Sequence, residues 1–241
     1  MTDYTRNDYV LSFYRVRQAL GFLGLAFPIL LFIGGELAES KLHPSISDYY
    51  HSTLRDVYVG TLFAIGVFLV SYRGHPRQSG DVLSDNLAAT LGGIGAFGLA
   101  LFPNRLALGM PPNVSQLALG EGYAQIGHFT SALLFLGAMA WLCLGRFART
   151  SKPARRRIYR FAGFTIVFFG LAATVASVLR ATGSEEVQQW ILSTGFIFWC
   201  EALGIWAFGL AWLTKGRADI SLINGASRLS GRALRDPAPK G

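Results

Sequence analysis

A chain of 241 residues that is 51% hydrophobic and only 15% charged, with a mean hydropathy of +0.37, is too apolar for an ordinary soluble domain. Its net charge of +8 would suit a nucleic-acid partner, but the basic residues lie in short segments beside apolar runs, where they orient a chain against an anionic leaflet; no nucleic acid is expected. Cys143 and Cys200, the two cysteines, fall inside expected helices at different depths, which argues against a disulfide or a cysteine-based zinc site.

A helix rising about 1.5 Å per residue needs roughly 20 residues to cross about 30 Å of hydrocarbon. The first run of that kind is 18–35, after Arg15 and Arg17. It mimics a signal peptide, yet it is longer than an h-region, contains Pro28 and precedes five further spans, so it reads as a retained first helix. The second run, 57–72, ends at Arg73-Gly74, a basic residue and a helix-stopping glycine. The third, 86–102, starts from the capping pair Asp85-Asn86. The fourth, 123–145, leads into a basic loop over 146–157. The fifth covers 158–179 and the sixth covers 190–214, ending at Lys215-Gly216. The expected organisation is an all-α, polytopic bundle of six transmembrane helices over 1–214, followed by a basic cytoplasmic tail over 215–241. That tail has room for a short surface-lying segment at 220–234.

Orientation follows from charge. Of the 22 Lys and Arg residues, only Lys41, Arg55, Arg105 and Arg180 fall on the side away from both termini. This is the positive-inside pattern, and it puts the N-terminus and the C-terminus in the cytoplasm. Ala88, Gly92, Ala96 and Ala100 recur every four residues on the third span, with Gly93 and Gly95 beside them. Such a stripe lets a neighbouring backbone come close. Trp190 near one face, and Trp141 and Trp212 near the other, suit an aromatic belt. Trp199 and Trp206 lie deeper, as packing residues.

Polar side chains concentrate toward the extracytoplasmic side. Gln125, His128 and Ser131 follow one another at helical spacing; Thr174, Ser177 and Arg180 end the fifth span; Glu36 closes the first and Asp56 opens the second. Glu201, about eleven residues into the sixth span, is the costliest of these. A carboxylate at mid-depth costs at least ~2.5 kcal/mol, so it needs a partner or water, and Arg180 or His128 could supply one. The cytoplasmic halves read as almost purely apolar. Together these residues point to one polar cavity, open outside and closed toward the cytoplasm, with Glu36, Gln125, His128, Arg180 and Glu201 as ligand-binding candidates.

The segment between the first two spans gathers His43, His51, Asp48, Asp56, Ser45, Ser47, Ser52, Thr53, Tyr49 and Tyr50. If it is α-helical from Ser47, then Ser47 and His51 share a face at i, i+4. His51, Asp56 and His128 could supply nitrogen and oxygen ligands to zinc, with Glu201 or Asp48 acting on bound water. On that reading Ser47, His51, Asp56 and Glu201 are catalytic candidates. The alternative is a structural polar cap, in which Asp56 caps a helix and His51 binds backbone. Haem is a further cofactor that His51 and His128 could engage. A retinal Schiff base is not expected, since no lysine lies in any span, and no P-loop or dinucleotide fingerprint occurs.

Ser45-Ile46-Ser47-Asp48-Tyr49-Tyr50-His51, with Arg55-Asp56-Val57-Tyr58-Val59-Gly60 after it, resembles a recurrent signature of uncharacterised bacterial six-span integral membrane proteins. Glu201-Ala202 and Ala207-Phe208-Gly209 resemble their final helix. This resemblance implies a multi-pass protein of the bacterial cytoplasmic membrane and no particular activity. The Ser-x-x-x-His spacing of Ser47 and His51, with Asp56 as the acid, is also similar to an element of the CREST superfamily of membrane hydrolases. That superfamily has seven spans and paired histidines in its final helix, which this chain lacks. Three functions therefore stand open: binding or transport of a lipid or small amphiphile, metal-dependent hydrolysis of a lipid-like substrate, and service as an accessory subunit with partners in a membrane complex. Whether the chain is an enzyme is left open by its residues.

Overall fold

The computed structural model describes residues 3–74, 77, 81–104 and 112–218. Among them the architecture is all-helical, without a strand. Helix α1 runs over Asp3–Glu39, a short 3-10 helix over Ile46–His51, α2 over Arg55–Val70 and α3 over Asp85–Leu101. A one-and-a-half-turn helix, α4, covers Val114–Leu119. The long α5, Glu121–Thr150, widens into a π-helical turn over Leu142–Phe147. Helices α6 (Pro153–Thr182), α7 (Glu185–Thr194) and α8 (Phe196–Lys215) complete the chain.

Four segments are long and apolar enough to cross a membrane: Phe13–Glu39, Glu121–Thr150, Pro153–Thr182 and Phe196–Lys215. The chain is a membrane protein on that ground. The expected spans at 57–72 and 86–102 fold as helices of 16 and 17 residues, short of the roughly 20 that a full crossing needs. The tail segment expected at 220–234 lies outside the described residues, as does Arg105.

Helices adjacent in the chain pack side by side, and the last packs on the first: α1 on α2, α2 on α3, α3 on α5, α5 on α6, α6 on α8, and α8 on α1. The result is a closed ring of six helices. One end, the strap end, carries the 3-10 helix; the other, the tail end, carries Lys215. Hydrogen bonds between segments distant in sequence tie each end together. Phe198 N–H donates to the Pro44 carbonyl at 2.9 Å at the strap end, and Gln18 Nε2 donates to the Gly216 carbonyl at 2.8 Å at the tail end.

The small-residue stripe does what its spacing implies. Ala88, Ala96 and Ala100 are buried, and α3 lies between α2 and α5. A Cβ added at Gly93 would meet the Gly66 carbonyl at 2.8 Å, and one at Gly95 would meet the Phe135 backbone nitrogen at 2.7 Å. Only glycine permits backbones that close.

Three expectations need correction. The sixth span is not continuous from 190: the chain breaks at Gly195, whose φ of +61° is left-handed and suits glycine as a helix stop. Trp190 therefore belongs to α7, and Glu201 is the sixth residue of α8, about 8 Å along the helix axis, rather than eleven residues into a helix that starts at 190. The basic loop expected over 146–157 is mostly helix; only Ser151 and Lys152 separate Thr150 from Pro153, and Pro153 fits a first helical position. Trp212 is 2% exposed and packs edge-on against Tyr72 and Phe147, so it is a core residue rather than part of an interfacial belt.

The tail end buries a cluster of charge just outside the expected spans. Arg146, 2% exposed, is hydrogen-bonded to both Asp81 and Asp85, themselves buried. Arg146 lies within the π-turn, where the helix widens to an i→i+5 repeat. Lys215 lies over the Phe147 ring, 4.4 Å from its centroid.

Candidate functional site

The strap between α1 and α2 is built by capping. Ser45 is extended (φ −139°, ψ 151°) and its Oγ accepts from Ser47 N–H at 3.1 Å, which starts the 3-10 helix. The same hydroxyl donates to Glu201, 2.8 Å from Oε2 and 3.0 Å from Oε1. Ile46 N–H donates to Glu201 Oε2 at 2.6 Å. The carboxylate thus closes the N-terminus of the 3-10 helix across the ring, where backbone N–H groups lack partners. Neither Arg180 nor His128 is its direct partner. Arg180 Nη1 instead pairs with Asp48 Oδ2 at 2.7 Å, and Asn104 Nδ2 donates to Asp48 Oδ1 at 2.8 Å.

His128 on α5 is 3% exposed, with Nδ1 2.9 Å from the Phe102 carbonyl. A carbonyl only accepts, so Nδ1 carries the proton and Nε2 keeps its lone pair. Tyr49 is fully buried between His43 and Phe198, and burial pushes its phenol above its ordinary value. Tyr50 accepts from Arg55 Nη2 at 3.1 Å and from Asn113, tying the strap to α2 and to the cap of α4.

Two chambers meet here. The polar one, about 100 Å³, is lined by Ser45, Asp48, Asn104, Gln125, Arg180 and neighbouring groups. The apolar one, about 120 Å³, runs down the middle of the ring between Phe27, Leu62, Leu99, Phe135, Leu136 and Ile205. Ser47, His128, Phe129, Ser177 and Glu201 line both, so a polar and an apolar chamber adjoin across a shared wall. Gly204 lines the apolar chamber, and a Cβ added to it would meet nothing within 4 Å.

Ser47, Gln125, His128, Arg180 and Glu201 are thus brought together. Glu36 is exposed on α1 and lines neither chamber. Asp56 is exposed in the first turn of α2, and His51 is half-buried, edge-on to Tyr50 at 5.2 Å. Because Ile46–His51 is a 3-10 helix, residues three apart align rather than four. Ser47 faces the cavity and His51 lines neither chamber, so the i, i+4 face does not form. Among the described residues no three His, Cys, Asp or Glu side chains are grouped to hold a metal ion; His51, Asp56 and His128 are not assembled as a zinc set. Ser45 and Asn104 belong to the site and were not singled out from the sequence. Asn104 carried no signal, whereas Ser45 has one in retrospect: a serine after proline, two residues before the N–H it caps.

No family model matches the chain, and no curated protein or solved structure is significantly similar to it.

Proposed function

We propose that this membrane protein binds an amphiphile, a lipid or a small lipid-like molecule, in the two-chambered cavity, with the polar end of the ligand among Glu201, His128, Gln125 and Arg180 and its chain in the ring. The observation that carries the reading is the shared wall: five residues border both chambers, so one molecule can place unlike ends in unlike surroundings. His128 Nε2 offers an acceptor, and the Ser47 and Ser177 hydroxyls offer donors and acceptors. Helices α5 and α6 supply Phe129, Ala132, Gly170 and Thr174 to the wall, and Phe129 and Thr174 also reach the outer surface. The seam between them is the natural entry for a ligand arriving from the bilayer.

All six ring helices cross the membrane in this reading, with the bilayer thinning locally at the shorter α2 and α3. The basic residues clustered at the tail end support a cytoplasmic location for that end, and the strap end then faces outward. The signature over 45–60 supports a bacterial cytoplasmic membrane as the setting.

Mass spectrometry of the detergent-purified protein, titrated with a graded series of monoacylglycerols, tests binding. Affinity is expected to rise with chain length and then level off once the apolar chamber is full. Gly204→Leu, which places a side chain in that chamber, should lower affinity at least tenfold without lowering the melting temperature. Equal binding by both proteins would exclude the cavity as the site.

A further inference from the structure

At the tail end a second concavity lies apart from the ring cavity. It is a groove of about 230 Å³ where α5 passes into α6, floored by Leu144 and Ala148 and walled by Arg149, Arg156 and Arg160. We propose that this groove is a binding site for the phosphate head group of an anionic phospholipid.

Three observations converge. The arginines come from both helices and meet around one space, whereas orientation by the positive-inside effect needs only their number, not their convergence. Arg156 Nε donates to the Ala148 carbonyl at 3.1 Å, which ties a guanidinium of α6 to the α5 side of the groove that both residues line. The planar guanidinium is the side chain suited to paired contacts with phosphate oxygens. Arg146 and Arg149 balance Asp81 and Asp85, and no acidic side chain is among the groove's described lining, which leaves the charges of Arg156 and Arg160 there.

The surrounding chain adds to that excess. Helix α6 begins with Pro153 and has no acidic residue in its first turn and no side-chain cap. Arg156 therefore stands at the positive end of a helix dipole, where an anion is favoured. Depth also fits a lipid. On α6 the exposed apolar residues Phe161, Phe164, Phe168, Leu171, Val175 and Val178 mark a bilayer-facing surface from just beyond Arg160. At about 1.5 Å per residue that surface runs for roughly the hydrocarbon thickness before Arg180. The groove is thereby placed at the level of the phosphates, with an apolar wall below it for acyl chains.

Free phosphate and a lipid head group offer the same oxygens, and the test separates them. Protein in detergent is titrated with phosphatidylglycerol and, separately, phosphatidylcholine, and bound lipid is counted by native mass spectrometry; inorganic phosphate is then added as competitor. One phosphatidylglycerol is expected to bind at least tenfold more tightly than phosphatidylcholine, with little displacement by phosphate at equal concentration. The triple variant Arg149→Gln, Arg156→Gln, Arg160→Gln should lose that preference, and Arg160→Gln alone should weaken binding about threefold. A charge-matched control, Arg15→Gln, Arg73→Gln, Lys152→Gln, should retain it. Loss of preference in the control, equal affinity for the two lipids, or efficient displacement by inorganic phosphate would each overturn the proposal.

Discussion

The two ends of the ring meet the same difficulty, an ionisable group inside an apolar bundle, in opposite ways. At the tail end Arg146 is set between Asp81 and Asp85, all three nearly inaccessible, and Trp212 packs edge-on against Tyr72 and Phe147 at the same end. At the strap end Glu201 is satisfied by neutral donors, the Ser45 hydroxyl and the Ile46 N–H, and open space remains beside it. Charges that neutralise one another fill an end and lock it. A carboxylate held by dipoles keeps unused lone pairs and a cavity in which to use them. The difference teaches where to look for a ligand: beside the ionisable group whose partners leave capacity over, rather than beside the most deeply buried one.

The largest effect that would break this comparison is at the tail end. Arg146→Ala takes away the buried cation bonded to both carboxylates and should destabilise the protein by ~3–5 kcal/mol, seen as a lower melting temperature in detergent. Replacing the whole cluster (Arg146→Met with Asp81→Asn and Asp85→Asn) should recover most of that loss, because no unpaired charge remains. If the triple variant were no more stable than the single one, the cluster would not be acting as a neutralised unit.

At the strap end the expected change is smaller and local. Ser45→Ala removes a hydrogen bond to a carboxylate and should cost ~1.5–3 kcal/mol. Hydrogen exchange over 46–51 should accelerate while the tail end stays protected, and uniform acceleration of both ends would contradict independent locking. The smallest effect belongs to Gly204→Ala. The added methyl projects into the apolar chamber and replaces glycine in a helix interior, so stability should rise by up to about 1 kcal/mol. A marked loss of stability there would mean that the space is not free.

Much of the ring was legible before the structure. The four-residue stripe on α3 named its buried face, and Glu201, His128 and Arg180 stood out as expensive residues gathered toward one side. Their pairing was not legible. Glu201 is held by Ser45, 156 positions away, and a serine in a polar linker carries no mark of a distant partner. Arg146 was hidden for a different reason: at the start of a run of basic residues it reads as surface, yet it is buried and bonded to Asp81 and Asp85. Two helices were missed although their signals are present. Asn113 and Gln116 form a capping box for α4, and Ser184 followed by Glu185-Glu186, with Gly195 beyond, brackets α7. The long apolar run after Gly195 drew the sixth span across that boundary.

Photoaffinity labelling tests the central claim most directly. A single-chain amphiphile carrying a photoreactive group near the end of its chain is added to the protein in bilayers, and the labelled peptides are sequenced. The account predicts labels on the faces of α5, α6 and α8 that line the apolar chamber, around Phe135, Leu136, Ala173 and Ile205, and their loss in Gly204→Leu. Labels confined to the outward residues Phe161, Phe164 and Phe168, unchanged by that substitution, would contradict it.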